Sequence, residues 1–367
     1  MRLFDPFLYE KVHLLVILAF TIFYFLFLQK KSASRLIQRN SSLYGIYAYA
    51  ILFIIVVGLR PVSQAFVDTV IYARTYQSYS YMPEGFTASR DSLFYSFMWL
   101  CSQFMSVNWF FLIVETIYVI PILIGCCRIL GKNADIGLLF CFSAFSFFSY
   151  GVNGIRNGAS LSLVFLALSF IQGNKFDKFI FASLCTLAIL FHASAALPVV
   201  CIIAAFFIKK PKILFLFWFL SIFISLIAGE SVSSFFASLG LDDRLSDYLL
   251  VDVDQEVFSH VGFRWDFLLY SSVPLLLGWY VIYKRGVKDS MYLLLLGTYI
   301  LSNAFWIMII RAEFSNRFAY LSWFLYPVVI AYPLLKLKIW PKTQGKKTAI
   351  IMACHLAFTM LMVFFFS

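Results

Sequence analysis

Charge is what this chain has least of. Only 13% of its 367 residues are charged, where a soluble domain carries about a quarter. With 62% of residues hydrophobic, a soluble globular fold is excluded. The seven cysteines (Cys101, Cys126, Cys127, Cys141, Cys185, Cys201, Cys354) are odd in number, lack metal-ligand spacing and sit in apolar surroundings. Neither a disulfide framework nor a zinc site is indicated, and core packing is their expected role. Histidine is scarce, at positions 13, 192, 260 and 355 only. No small-residue cleavage site separates the first apolar run from Lys30 and Lys31, so no cleavable signal is expected. No internal repeat is visible, which disfavours the duplicated transporter folds. No pattern in the sequence asks for a metal or an organic cofactor.

What is present is a series of apolar runs, most of them about 17 to 22 residues long. They thread as spans over 11–29, 43–59, 107–129, 136–151, 158–173, 178–191, 195–208, 212–229, 267–283, 290–310, 318–335 and 348–366. The expected fold is all-α: a polytopic integral membrane protein of about twelve transmembrane helices, forming one domain over residues 1–367. An even number of crossings puts both termini on one side. This threading sorts the basic residues. Fifteen of 16 lysines fall on one side, and nine of 13 arginines on the other: Arg2, Arg60, Arg74, Arg90, Arg156, Arg244, Arg264, Arg311 and Arg317. Lysine excess in short loops marks the cytoplasmic face, so both termini are expected outside. The net charge of +11 is then a topology signal and implies no nucleic-acid partner. Two outer segments are long. Residues 60–106 include an amphipathic stretch, SLFYSFMWLCSQFMSV, that can lie at the interface or dip into the membrane. Residues 230–266 are acidic and hold no apolar run of span length; a loop longer than about 15 residues is usually functional or disordered.

Arginines kept on the outer face run against the positive-inside rule, so a role is expected there. Their planar fork of donors suits phosphate and diphosphate. In GVNGIRNGASLSL, Arg156 stands at the outer start of an inward-running span. Unsatisfied amides and the helix dipole would reinforce its charge there, and Gly154 and Gly158 would leave the backbone open to a ligand. An arginine snorkelling to headgroups is the alternative. In LFHASAALPVV, His192 stands at a hairpin between two spans, with Ser194 as a cap for the next helix. It fits a general base, a phosphate donor, or a residue that satisfies a hairpin carbonyl. RAEFSNRFAYLSWFLYP presents Arg311, Glu313, Asn316 and Arg317 in a short loop, where two arginines can converge on one diphosphate. GLRPVSQAFVDTVIYARTY contributes Arg60, Asp68, Tyr72 and Arg74; Asp68 and Tyr72 share one helical face. Asp68 would activate a sugar hydroxyl or pair with Arg60. Glu115, alone inside an apolar span, is expected to be partnered or protonated. Asp242, Asp243, Arg244, His260 and Arg264 fit glycan binding or plain solvated charge.

Taken in order, these motifs resemble the EpsG-like, Wzy-type polysaccharide (O-antigen) polymerases. The outer Arg before an Asp-x-x-x-Tyr pattern is matched by Arg60, Asp68 and Tyr72. The span opening Arg-Gln/Asn-x-x-Ala/Ser is matched by Arg156 and Asn157, and F-H-x-S-A by Phe191, His192, Ser194 and Ala195. The late arginine pair before an apolar helix ending in proline is matched by Arg311, Arg317 and Pro327. Asn157 stands where glutamine is common, and the glycine usual between the first Arg and the Asp is missing. The resemblance implies a GT-C-like glycosyltransferase of the bacterial cytoplasmic (inner) membrane, its active site facing the periplasm. It implies an undecaprenyl-diphosphate-linked oligosaccharide donor and acceptor, no cofactor, and a chain-length regulator as a candidate partner. Under that reading Arg156, Arg311, Arg317 and Arg60 hold the diphosphate without a metal. His192, Asp68 or Glu313 is the base, and Tyr72, Asn157, Asn316, Arg264 and Tyr320 contact the substrate. An O-antigen ligase is the nearest alternative. A lipid-linked oligosaccharide flippase would need charged groups in mid-membrane, where Glu115 stands almost alone.

Overall fold

The computed structural model describes residues 5–82, 91–238, 263–311 and 315–365, and every regular element among them is helical. Seven stretches are long and apolar enough to cross a membrane: Pro6–Leu28, Val107–Phe142, Pro211–Gly229, Trp265–Lys284, Ser290–Met308, Arg317–Lys336 and Gln344–Phe365. Gly45–Gly58, Ile155–Leu168 and Ala193–Phe207 are shorter apolar helices. The apolar runs of the sequence therefore reappear as helices, but some are interrupted. The run over 136–151 stops at Ser143, whose hydroxyl donates back to the carbonyls of Leu139 and Phe140. Such back-bonding competes with helix propagation. The run over 318–335 breaks between Trp323 and Tyr326.

The chain forms two compact units, Met1–His192 with Ala331–Ser367, and Ala193–Ile330. The first contains α1 (Tyr9–Leu28), α2 (Ala33–Ile37), α3 (Gly45–Gly58), α4 (Val67–Ser80), α5 (Ser92–Ser102), α6 (Val107–Leu130), α7 (Ala134–Phe142), α8 (Phe147–Val152), α9 (Ile155–Leu168) and α10 (Lys175–Phe191). Helix α6 is its central post, packed on α3, α7 and α9, while α9 packs on α10. At about 1.5 Å per residue α6 is ~36 Å long, enough to separate two chemically distinct ends.

Three lysine-bearing loops of the first unit meet at one end. The Ala33 amide donates to Pro341 O (3.0 Å), the Gly345 amide to Lys31 O (3.0 Å), and Asn133 to the carbonyls of Leu36 and Leu335. Asp135, fully buried, accepts a two-pronged contact from Arg39 (2.9 and 2.7 Å) and the Tyr24 hydroxyl (2.8 Å). At the other end of α6, Asn108 donates to Arg60 O (3.0 Å). Tyr9 at the start of α1 meets Phe66 edge-on there, and Lys11 lies over Phe364 near the end of the C-terminal helix. That helix is Gln344–Phe365 and packs along α1.

The second unit holds α11 (Ala196–Phe207), α12 (Pro211–Ser238), α13 (Trp265–Trp279), α14 (Ser290–Met308), α15 (Ser315–Trp323) and the first turns of α16 (Tyr326–Lys336); the C-terminal helix of the first unit is α17. Helix α14 packs on α11, α12 and α15. Apolar helices gain little from pairing in lipid, so cross-helix hydrogen bonds matter. Trp218 donates to Asn303, Asn303 to Ser322, Trp323 to the Ser271 hydroxyl and Tyr299 to the Ser271 carbonyl.

Candidate functional site

The amphipathic stretch of the first outer segment is helix α5, and its apolar face is buried against α4, α6 and α10. Phe94 is the hub of that face. It is fully buried and meets Tyr72, Phe110 and Phe191 edge-on at 5.9, 5.9 and 5.3 Å between ring centroids. Tyr76, Met98, Phe111, Ile155 and Ala159 complete this aromatic core. It fixes three chain segments relative to one another: the N-terminus of α5, the N-terminus of α9 and the C-terminus of α10.

Those three termini bring a polar cluster together. Arg156, second residue of α9, donates through Nη1 to Asp91 Oδ2 (2.6 Å) and to the Tyr95 hydroxyl (2.9 Å), and through Nε to the Tyr72 hydroxyl (3.2 Å). Its guanidinium also lies against the rings of Tyr95, Tyr72 and Phe94. His192, which ends α10, contacts the same Asp91 oxygen through Nδ1 (2.9 Å). The side chains of Asp91, Arg156 and His192 are 7%, 11% and 17% exposed, so water is largely but not wholly excluded. Four groups remain uncommitted among the described residues: Arg156 Nη2, His192 Nε2 and the phenol hydrogens of Tyr72 and Tyr95. Burial pushes the Tyr72 phenol up, against the pull of the Arg156 guanidinium, so it stays a neutral donor. A half-spent cation, an imidazole nitrogen and two phenols facing a nearly dry site can hold an anion and move a proton.

Asp91 has an unusual conformation. It is the N-cap of α5, yet its side chain makes no capping hydrogen bond, and its backbone is left-handed at φ 46° and ψ 41°. An aspartate N-cap ordinarily contributes about 0.5–2 kcal/mol, and a left-handed non-glycine residue costs on the order of 1–3 kcal/mol. The first is given up and the second is incurred, and the carboxylate is aimed at Arg156 and His192. Sequence reasoning missed Asp91 and Tyr95. The available signal was an acid directly before an amphipathic run, which reads as an ordinary cap.

The start of α9 is built by close approach. A Cβ on Gly158 would lie 2.8 Å from the Tyr150 carbonyl oxygen, so α8 crosses directly against α9 here. Gly158 is thus used for helix packing, which corrects the expectation that it exposes backbone to a ligand; Gly154 likewise faces the Tyr150 ring. Asn157 adds a buried amide oxygen with no partner among the described residues.

Arg60 is placed differently. It is 1% exposed and donates to Thr69 Oγ1 (3.3 Å), Val57 O (2.9 Å) and Val152 O (3.1 Å), with Glu115 at 3.9 Å. Its ion-pair partner is therefore Glu115, not Asp68 as its spacing suggested, and Glu115 is partnered as expected. This arginine ties α3, α4, α6 and α8 together, and burial leaves its guanidinium no open face for a diphosphate. Asp68 is half-buried and makes no hydrogen bond or ion pair with a described residue.

The remaining sequence candidates belong to the second unit. Arg311 is exposed, its Cδ beside Gly229. Arg317 and Tyr320 lie half-buried in the first turns of α15, Tyr320 edge-on to Trp323. Arg264 is held by Asp266 in a two-pronged pair (2.9 and 2.6 Å). Ser194 does not cap α11: its buried hydroxyl has no partner among the described residues, and Ala195 holds the cap position. Glu313, the Asn316 side chain, Arg244, His260 and most of the 230–266 loop lie outside the described residues.

A family model described as the EpsG family matches residues 46–367 of this chain, which includes every element of the cluster. No curated protein and no solved structure matches it.

Proposed function

The chain belongs to the EpsG family of membrane polysaccharide polymerases, and on that premise we propose that it transfers a growing glycan from undecaprenyl diphosphate to the non-reducing end of a lipid-linked repeat unit. The lysine-bearing end of the first unit is cytoplasmic in this reading, by the positive-inside rule. The Arg156 end, with both termini, then faces the outside of the bacterial cytoplasmic membrane. Arg156 is the diphosphate contact, and its Nη2 group, uncommitted among the described residues, is the observation that carries the reading. Diphosphate leaves with developing negative charge, and a preorganised guanidinium in a nearly dry site stabilises that charge far better than water does. Arg311 and Arg317 supply further positive charge, so that arginine rather than metal is the counter-ion. Tyr72, Asn157, Asn316, Tyr320 and Arg264 contact sugar or phosphate, and the nascent chain runs along the 230–266 loop. Arg60 serves the site by holding its helices.

Polysaccharide from a deletion strain separates this reading from its neighbours. Loss of a polymerase leaves single repeats attached to the acceptor core, whereas loss of a ligase leaves none. Arg156→Ala, Arg317→Ala and His192→Ala, each at wild-type abundance, are expected to give single repeats like the deletion. Wild-type chain lengths from all three would mean that the protein assists assembly without performing the transfer.

A further inference from the structure

We infer that Asp91 is a positioning residue that fixes the ring tautomer of His192, and that His192 Nε2 is thereby the base that takes the acceptor hydroxyl proton. The inference rests on the polymerase reading and names the base that reading leaves open.

Four observations carry it. His192 Nδ1 lies 2.9 Å from Asp91 Oδ2. A carboxylate oxygen can only accept, so the ring hydrogen sits on Nδ1 and the lone pair of the neutral ring on Nε2. Nε2 has no partner among the described residues, and the side chain keeps 17% exposure through which a substrate can reach it. Asp91, moreover, gives up its capping bond and takes a left-handed backbone to make this contact. Backbone strain of that kind persists where the surroundings demand it, and here the demand comes from two side chains on other helices. Finally, the same oxygen receives Arg156 Nη1 at 2.6 Å. One carboxylate therefore sets both the cation that meets the leaving group and the imidazole that meets the nucleophile. Asp68 has no such orienting partner among the described residues.

In the step itself, the acceptor hydroxyl oxygen bonds to the anomeric carbon of the donor while its proton passes to Nε2. The bond between that carbon and the diphosphate oxygen breaks, and its electron pair leaves on the diphosphate, facing Arg156 Nη2. His192 is then an imidazolium with Nδ1–H still on the Asp91 carboxylate. Release of the Nε2 proton to the departed diphosphate or to water resets the ring. A general base so placed contributes about 10²- to 10⁴-fold in rate.

The test is nitrogen NMR of the purified full-length protein labelled with ¹⁵N-histidine, with His192→Gln identifying the signal among the four histidines. The expected ring is hydrogen-bearing at Nδ1 and bare at Nε2 in the wild type. In Asp91→Asn, whose amide can donate to Nδ1, the hydrogen is expected to move to Nε2. The same variant is expected to lose about 10²- to 10⁴-fold in kcat for elongation of a lipid-linked repeat, with partial recovery in Asp91→Glu. A wild-type ring bearing its hydrogen on Nε2, or wild-type kcat in Asp91→Asn, overturns the inference and leaves the polymerase reading standing. The expected tautomer in a protein that elongates no lipid-linked repeat overturns the polymerase reading and, with it, the role given to Nε2.

Discussion

The guanidinium of Arg60 is consumed by its own protein. Its bonds run to Val57, Thr69 and Val152, and its charge faces Glu115 with both side chains 1% exposed. Arg156 keeps one amino group uncommitted among the described residues and borders a partly open site. The two arginines read alike in sequence, each in a short polar stretch beside an apolar run, because the difference lies in partners supplied from distant helices. Asp91 was illegible for the same reason: its partners Arg156 and His192 are contributed by α9 and α10. Replacing one member of a buried pair leaves the other unpaired, at a cost of about 3–5 kcal/mol, whereas replacing both by apolar residues is often neutral. Arg60→Met is therefore expected to lower the thermal unfolding temperature in detergent sharply, and Arg60→Met with Glu115→Leu to recover most of the loss. A double variant no more stable than the single one would show that the pair is not what Arg60 is for.

At the scale of elements, hydropathy made the helices legible and left their interruptions hidden. Apolar runs are properties of many residues together, and they mark α1, α3, α6, α10, α12, α14 and α17 well. Breaks depend on single groups, such as the Ser143 hydroxyl that closes α7 or the short turn at Asn153 and Gly154 between α8 and α9. That second break is where the site is built. Non-helical backbone at membrane depth is tolerated where it is buried in protein or lines a cavity. Gly158 allows α8 to cross α9 at backbone contact, so Gly158→Ala must push the helices apart and carry Arg156 with them. Overpacking of this kind costs about 1–3 kcal/mol. Polymer length on gels is expected to collapse in Gly158→Ala and to fall less in Gly154→Ala, where the added methyl meets only the edge of the Tyr150 ring. Equal chain lengths in the two variants would remove the crossing from the account.

For the whole molecule, the separation of lysine from arginine survives as a geometric fact within the first unit. Loops bearing Lys30, Lys31, Lys132, Lys336 and Lys342 gather at one end of α6, and Arg60, Asp91, Arg156 and His192 belong to the other. Charge sorting is imposed by membrane insertion on the entire chain, which is why sequence alone displayed it. The inferred choice of His192 as base rests on one Asp91 oxygen between two helix ends, and no composition or spacing encodes that contact. The central claim is that this chain, through Arg156 and His192, performs the transfer unaided. The most direct measurement supplies the purified protein in detergent with a single lipid-linked repeat unit and a metal chelator, and resolves the products by size. A ladder spaced by one repeat is expected from the wild type, and none from Arg156→Ala or His192→Ala. No ladder from the wild type, or a ladder of equal length from either variant, would contradict it.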